Sequence, residues 1–185
     1  MAEFVCPWWL GYALASPLRR IAQDPAGILY PYVRRGMVVL EPGPGMGFFT
    51  QELAWMVGAE GKVIAVDLQA KMLKALKARL ERAGLGERIE TRVVTPESLG
   101  TADLAGTVDF ALAFAMVHEV PDQQRFLGEI YAALKPEGRL LLSEPRVHVS
   151  KRAFEATLDR AQIAGFTVAE RPKIRWSLSA VLQKG

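Results

Sequence analysis

The residues best suited to chemistry in this chain are a glutamate and three alternating glycines in the segment 40–49, LEPGPGMGFF. Glycines at positions 43, 45 and 47 can adopt positive φ, and because they lack side chains they let a ligand approach the main chain closely. The apolar residues that follow predict a helix, whose first N–H groups would face the same ligand. The segment therefore predicts a backbone cradle for a small charged ligand. Taken alone, it is equally compatible with a turn that only joins a strand to a helix.

Polar residues also follow the predicted ends of three further strands. Asp67 stands 24 residues after Gly43, where a carboxylate can accept hydrogen bonds from both hydroxyls of a ribose. An ordinary N-cap of the next helix is the alternative role for this aspartate. Thr95 and Glu97 follow the third strand, and residues 114–119 close the fourth. Because ligands of such sheets bind outside the carboxyl ends of the strands, these residues are candidates for a binding site.

The elements that must position these residues alternate between strand and helix patterns. Ser16-Pro17 and Asp24-Pro25 each join a capping residue to a proline, which predicts short helices over 16–33. The last two strands are too close for a helical crossover, so an antiparallel pair is expected. The pattern predicts an α/β fold with a doubly wound, Rossmann-like, seven-stranded, mostly parallel sheet and a C-terminal antiparallel hairpin. The predicted strands are 37–41, 62–67, 89–94, 108–114, 139–143, 166–170 and 174–182, and the helices between them are 47–58, 69–83, 121–134 and one from Ser150 to Gly165.

Composition and charge limit the class of protein. The chain has 185 residues, of which 50% are hydrophobic and 23% charged, enough for one globular domain with a real core. The net charge of +3 arises from 23 basic and 20 acidic residues, a balance too even to predict nucleic-acid binding from charge alone. One cysteine, Cys6, excludes an internal disulfide and agrees with a cytoplasmic protein. The only histidines, His118 and His148, lack metal-ligand spacing, so no metal site is predicted.

The first 35 residues predict a helical cap segment ahead of a sheet domain at 36–185. Residues 4–18 carry no charge but include Pro7 and Gly11, and they are shorter than the roughly 20 residues of a membrane span. The positive start of a secretory signal is also missing. We interpret the stretch as a lid or cap packed on the domain, with a position on a membrane surface as the open alternative.

Four segments in this order and spacing, VVLEPGPGMGFF, VIAVDLQ, VDFALAFAMVHEV and LKPEGRLLLSEP, resemble the class I S-adenosylmethionine-dependent methyltransferases. The resemblance covers about residues 37–183. It implies S-adenosylmethionine as cofactor and S-adenosylhomocysteine as product. A dinucleotide-binding domain would favour GxGxxG, whose third glycine corresponds here to Phe48, and this spacing argues against an NAD-dependent oxidoreductase.

The resemblance also implies which residues contact the cofactor. The glycines would line its methionine portion with Glu41 nearby, Asp67 would hold the ribose and Leu68 would pack on the adenine. Many relatives carry an acid-alanine pair after strand three, but Thr95 and Pro96 stand here, and proline has no N–H to donate. Either a neighbouring group substitutes or packing holds the adenine. The expected contacts are Glu41, Gly43, Gly45, Gly47, Asp67, Leu68, Thr95, Glu97 and Ala115.

Methyl transfer to a hydroxyl or an acidic carbon would also need a general base. His118 is the first candidate because it follows the strand-four end that faces the methyl donor in the family, and Glu119 is adjacent to it. Glu144 and His148, after strand five, are further candidates. A structural histidine that caps the next helix is the alternative interpretation of His118.

The methyl acceptor is less well specified. No Asn-Pro-Pro-Tyr-like sequence follows strand four, which disfavours adenine or glutamine amino groups, and Cys6 lies outside the core, which disfavours covalent cytosine methylation. A small-molecule acceptor, apolar or aromatic, is therefore expected. The alternative function is a non-catalytic module that binds S-adenosylmethionine or a nucleotide, or stabilises a partner. The aromatic residues considered for an acceptor pocket are Trp8, Trp9, Tyr12, Tyr30 and Tyr32.

Overall fold

The structure is a computed structural model that describes residues 23–185. The Ser16-Pro17 helix start and the aromatic residues of segment 4–18 lie outside these described residues, so the cap segment stays a prediction. The strands are β1 (Val38–Pro42), β2 (Lys62–Asp67), β3 (Ile89–Val93), β4 (Val108–Phe114), β5 (Leu134–Pro145), β6 (Phe166–Glu170) and β7 (Ser177–Lys184). The α-helices of this range are α1 (Pro25–Leu29), α2 (Thr50–Val57), α3 (Ala70–Arg82), α4 (Gln123–Ala133) and α5 (Lys151–Ile163).

The strands form a seven-stranded sheet in the order β3-β2-β1-β4-β5-β7-β6. The pairs β1/β2, β2/β3 and β4/β5 are parallel, whereas β7 is antiparallel to both β5 and β6. The predicted Rossmann-like sheet with a C-terminal antiparallel pair is thus confirmed. The chain divides into two compact parts, one up to Val94 and one from Thr95 onward. Among residues 23–185, no helix is both long enough and apolar enough to cross a membrane.

The first part is built on three parallel strands, of which β1 and β2 have buried apolar centres while β3 is partly exposed. Residues 63–66 of β2 are all buried and none is charged, as expected for a strand covered on both faces. Asp24 caps α1 by accepting a hydrogen bond from the Ala26 N–H at 3.1 Å, as its Asp-Pro sequence predicts. Helix α2 begins at Thr50 and not at residue 47, because residues 45–49 form turns around the glycines.

The second part differs from prediction in the length of β5. The sequence predicts a turn at Glu137-Gly138 followed by a strand over 139–143, but β5 runs from Leu134 to Pro145. The turn residues form an irregularity within the strand: Val108 pairs with Leu134, and the pairing resumes between Phe110 and Arg139. Such a bulge absorbs extra residues without ending the strand. The predicted β5 boundaries are therefore wrong.

The final strands are antiparallel as predicted, but both ends of β7 differ from the predicted 174–182. Strand β7 begins at Ser177 and not at residue 174, and residues 171–176 form the loop that joins it to β6. Its first residues pair with the carboxyl end of β5, Ser177 with Pro145 and Leu178 with Glu144. The loop 171–176 therefore lies at the same sheet edge as the end of β5.

Candidate functional site

Glu41 is a buried carboxyl group at the carboxyl end of β1, only 3% exposed. Burial raises its pKa from 4.5 to about 7, and the nearby Thr50 hydroxyl offsets a smaller part of that rise. Neither Glu41 Oε2 nor Thr50 Oγ1 has a partner at hydrogen-bonding geometry within the described residues. A buried acceptor without a donor is costly, so this site is suited to a ligand that brings an N–H group.

The glycine loop after Glu41 is open at one position and tightly packed at another. All three glycines have positive φ: 64° at Gly43, 56° at Gly45 and 85° at Gly47. A methyl group added at Gly45 would meet no atom of residues 23–185 within 4 Å, whereas one at Gly47 would overlap the Leu76 side chain. The main chain at Gly45 is thus accessible to a ligand, and Gly47 lets the loop pack on α3.

Replacing Gly47 with Ala should destabilise the protein more than replacing Gly45 with Ala. Both substitutions place a side chain at positive φ, at a cost of about 1–2 kcal/mol. Gly47→Ala adds an overlap with Leu76, for which overpacking costs typically about 1–3 kcal/mol more. Urea unfolding of the two variants measures the difference. Equal losses would contradict the packing role of Gly47.

Asp67 closes β2 and organises the turn into α3. Its Oδ1 accepts a hydrogen bond from the Gln69 N–H at 2.9 Å. The N-cap of α3 is Gln69 itself, which makes no side-chain capping bond, so Asp67 does not serve as the ordinary N-cap of this helix. Leu68, beside it, is 41% exposed, which leaves an apolar surface next to the carboxylate.

In the second part, His118 pairs with a buried carboxylate on the neighbouring strand. His118 lies in the 3₁₀ turn Val117–Glu119 after β4, and Glu144 lies near the end of β5 with 2% of its side chain exposed. Glu144 Oε1 accepts a hydrogen bond from the Val117 N–H at 2.8 Å, and Glu144 Oε2 pairs with His118 Nδ1. The hydrogen bond to Glu144 raises the pKa of His118, against the lowering effect of burial. One quarter of the His118 side chain is exposed.

Further hydrogen bonds fix the turn that carries His118. Gln123 Nε2 donates to the Val117 carbonyl at 2.9 Å, and Thr157 Oγ1 donates to Gln123 Oε1 at 3.0 Å. The N-cap of α4 is Asp122, which accepts from the Arg125 N–H, so His118 does not cap this helix. Gln123 and Thr157 carried no sequence signal, because their roles depend on contacts between α4 and α5.

Two more predicted residues gather around His118. The His148 ring stacks on the His118 ring with centroids 5.7 Å apart and planes 9° apart. Glu119 Oε1 lies 3.9 Å from His118 Nε2, close enough to favour a charged imidazole but too far for a hydrogen bond. The structure thus brings together all four candidate proton-transfer groups: His118, Glu119, Glu144 and His148.

The remaining predicted residues are also located. Thr95 and Ser98 exchange backbone hydrogen bonds of 3.2 and 3.4 Å, which places exposed Glu97 in a tight turn. Ala115 has a φ of 57°, uncommon for a residue with a side chain, and its N–H donates to the Ser143 carbonyl at 2.7 Å. Tyr30 and Tyr32 are the described members of the aromatic set, and Tyr30 is 74% exposed.

Comparison with known proteins identifies the family. A family model described as a methyltransferase domain matches residues 40–142. The chain belongs to the class I S-adenosylmethionine-dependent methyltransferase superfamily. A ubiquinone/menaquinone biosynthesis C-methyltransferase, UbiE, of Klebsiella pneumoniae is 32% identical to this methyltransferase over 127 residues, which cover 67% of this chain and 50% of that protein. The chain therefore spans about half the length of the curated relatives it matches.

Solved structures show the same fold for this methyltransferase. A SAM-dependent methyltransferase from Aquifex aeolicus matches with a TM-score of 0.87 at 24% identity, over 98% of this chain and 100% of that one. TrmN from Thermus thermophilus matches with a TM-score of 0.70 at 26% identity, over 87% of this chain and 48% of that one. The cofactor of the superfamily is S-adenosylmethionine. Glu41 Oε2, which has no partner within the described residues, and the open main chain at Gly45 fit a ligand with an ammonium group.

Proposed function

We propose that this methyltransferase transfers a methyl group to an acidic carbon or a hydroxyl of a small-molecule acceptor, with His118 as the general base. The observation that supports His118 as the general base is the pairing of its Nδ1 with buried Glu144. The C-methyltransferase relative, at 32% identity, supports a carbon acceptor. When bound, S-adenosylmethionine supplies an electrophilic methyl group on a sulfonium.

The cofactor contacts in this proposal follow the chemistry of the residues present. Buried Glu41 accepts hydrogen bonds from the ammonium group, and the main chain of the glycine loop lies along the methionine portion. Asp67 accepts from the ribose hydroxyls while Leu68 offers an apolar surface to the adenine. The proposed set is Glu41, Gly43, Gly45, Gly47, Asp67, Leu68, Thr95, Glu97 and Ala115.

His118 can act as a base because of how its proton is placed. Glu144 accepts the proton on Nδ1, which leaves a lone pair on Nε2 in the neutral ring. Nε2 can then remove a proton from the acceptor, and Glu144 stabilises the imidazolium that forms. A general base of this kind typically contributes about 10²- to 10⁴-fold to the rate, while orientation of the reactants contributes about 7–11 kcal/mol.

Calorimetry followed by turnover assays tests the proposed function. We expect saturable binding of S-adenosylmethionine and S-adenosylhomocysteine, and formation of S-adenosylhomocysteine with phenolic or enolic acceptors. Preference for NAD would refute the proposal. Tight S-adenosylhomocysteine binding without turnover on a broad acceptor panel would favour the non-catalytic module.

Replacing Asp67 with Ala should weaken S-adenosylhomocysteine binding by about 10- to 100-fold, since hydrogen bonds to a charged group contribute roughly 1.5–3 kcal/mol each. Asp67→Asn keeps an acceptor for the Gln69 N–H, so it separates the ribose contact from the turn. We expect Asp67→Asn to bind weakly as well. Exposed Asp159→Ala on α5 is the charge-matched control and should bind normally. Unchanged affinity in Asp67→Asn would exclude the ribose role of the carboxylate charge.

A further inference from the structure

A cavity of about 530 Å³ lies at the end of β5, lined by the first turns of α5, the loop 171–176 and the start of β7. This volume is in the range of sites for small organic ligands. Five cationic side chains and one carboxylate line the cavity: Arg146, Lys151, Arg171, Lys173, Arg175 and Glu155.

Among residues 23–185, a hydrogen-bonded carboxylate neutralises just one of these cations. Arg171 and Glu155 form a two-point ion pair with distances of 2.7 and 2.8 Å. This contact lowers the pKa of Glu155 and raises the pKa of Arg171, so the pair stays ionised. Within the described part of the chain, Lys173 makes no hydrogen bond or ion pair, Lys151 attracts Glu155 electrostatically without a hydrogen bond, and Arg146 Nε donates to the Ser177 carbonyl at 3.1 Å. The cavity therefore carries an excess of four positive charges.

An exposed tryptophan stands at the same cavity. Trp176 is 59% exposed and has a φ of 60°, a backbone conformation that is unusual for an aromatic residue. Its carbonyl accepts from the Arg146 N–H at 3.0 Å, which ties the loop to β5. The Arg175 guanidinium lies 4.2 Å from the ring centroid of Trp176. A ring held beside a cluster of cations is suited to stacking on a flat ligand group that carries negative charge.

One residue that lines the cavity is close in sequence to the residues that contact His118. Arg146 lies between Glu144, which pairs with His118, and His148, which stacks on the His118 ring. A ligand bound by Arg146 is thus next to the segment that positions the proposed base.

We propose that this cavity binds a phosphate-bearing group of the methyl acceptor, with a flat ring of the acceptor stacked on Trp176. The link to the acceptor rests on the proposed methyl transfer, whereas phosphate binding by the cavity does not. Four cations in excess suit the multiple charge of a phosphate or diphosphate better than the single charge of a carboxylate.

The test uses uridine diphosphate and inorganic pyrophosphate as probes, titrated in a calorimeter into the full chain with and without saturating S-adenosylhomocysteine. Both probes should bind the parent protein. The double variant Lys173→Gln/Arg175→Gln should bind both about tenfold more weakly, or worse, because it removes two charged donors. The charge-matched control Lys71→Gln/Lys74→Gln, on the exposed face of α3, should bind like the parent. Trp176→Ala should weaken the binding of uridine diphosphate more than the binding of pyrophosphate, because pyrophosphate has no ring to stack on Trp176.

A second arm identifies the source of the phosphate. Co-sedimentation with phosphatidylglycerol vesicles that the cavity double variant abolishes would assign the phosphate to a lipid headgroup, and uridine diphosphate binding without vesicle binding would assign it to a soluble compound. Absence of binding in both arms, or equal affinity in both double variants, would overturn the proposal. Failure of S-adenosylhomocysteine to bind would instead refute the proposed function and leave the phosphate titrations readable.

Discussion

Replacing Glu144 with Gln should abolish most methyl transfer while S-adenosylhomocysteine binding stays unchanged. The Gln carbonyl can still accept from the Val117 N–H, which directs its NH₂ group at His118 Nδ1. Nδ1 must then accept, so the ring proton moves to Nε2, which loses the lone pair that a base needs. We expect kcat to fall by about 10²- to 10⁴-fold.

His118→Asn is the matched comparison. Because Glu144 acts only through His118, the double variant should lose no more activity than either single variant. Glu144→Ala should instead lower the pKa of His118, since Glu144 is the largest cause of its rise. The base works when neutral, so activity falls as pH falls through this pKa. The acidic limb of the pH profile should therefore move to lower pH in Glu144→Ala. Multiplicative losses in the double variant, or an unmoved limb, would contradict the positioning role of Glu144.

S-adenosylhomocysteine binding should weaken as the pH falls below about 7, and this dependence should disappear in Glu41→Gln. Burial raises the pKa of Glu41 to about 7, so the carboxylate proposed to pair with the ligand ammonium is lost below that pH. The affinity should then fall by up to about tenfold per pH unit. Calorimetry in buffers of different ionisation enthalpy measures both the affinity and the proton released on binding. Exposed Glu60→Gln is the control and should keep the dependence of the parent.

The same carboxyl group makes the ligand-free protein more stable at acidic pH. Between the unfolded pKa of 4.5 and the folded pKa of about 7, the native state binds more protons than the unfolded state. The contribution of Glu41 to the free energy of unfolding is thus fully present below pH 4.5. It declines as the pH rises through 7, by up to roughly 3 kcal/mol. Urea unfolding at pH 5 and pH 8 should show this loss in the parent and not in Glu41→Gln. Parallel pH dependences in the two proteins would exclude Glu41 as the cause.

The strand boundaries could be predicted from the sequence where an apolar run stands next to a recognisable turn. Strands β2 and β4 have the predicted boundaries because each is a largely apolar run that follows a glycine-containing turn. The predicted start of β5 is wrong because Pro136 and Gly138 are typical of a turn. In the structure a bulge lets the strand continue through these residues. Hydrophobic patterns report which residues are buried, whereas strand ends depend on pairing with neighbours.

In the candidate site, too, residue types could be predicted from the sequence, whereas contacts between strands could not. The type and position of His118 were enough to single it out, but its partner was one of several carboxylates. Glu144 lies 26 residues further along the chain and meets His118 only because β4 and β5 pair in parallel. Three of the cavity cations, Arg171, Lys173 and Arg175, lie within the loop before β7, whereas Arg146 and Lys151 follow β5. The antiparallel pairing of β7 with β5 brings these two groups to one cavity.

The position of β7 determines when the sheet can be completed during protein synthesis. Strand β6 leaves the ribosome before β7, yet β7 lies between β5 and β6 in the sheet. Until residues 177–184 emerge, the β5 edge that carries Glu144 has no neighbour on that side, and Leu178 cannot cover it. During this interval β5 presents an unpaired strand edge, of the kind that other chains can pair with. The strand that carries Glu144 is therefore paired on both sides only after the last strand of the sheet has been synthesised.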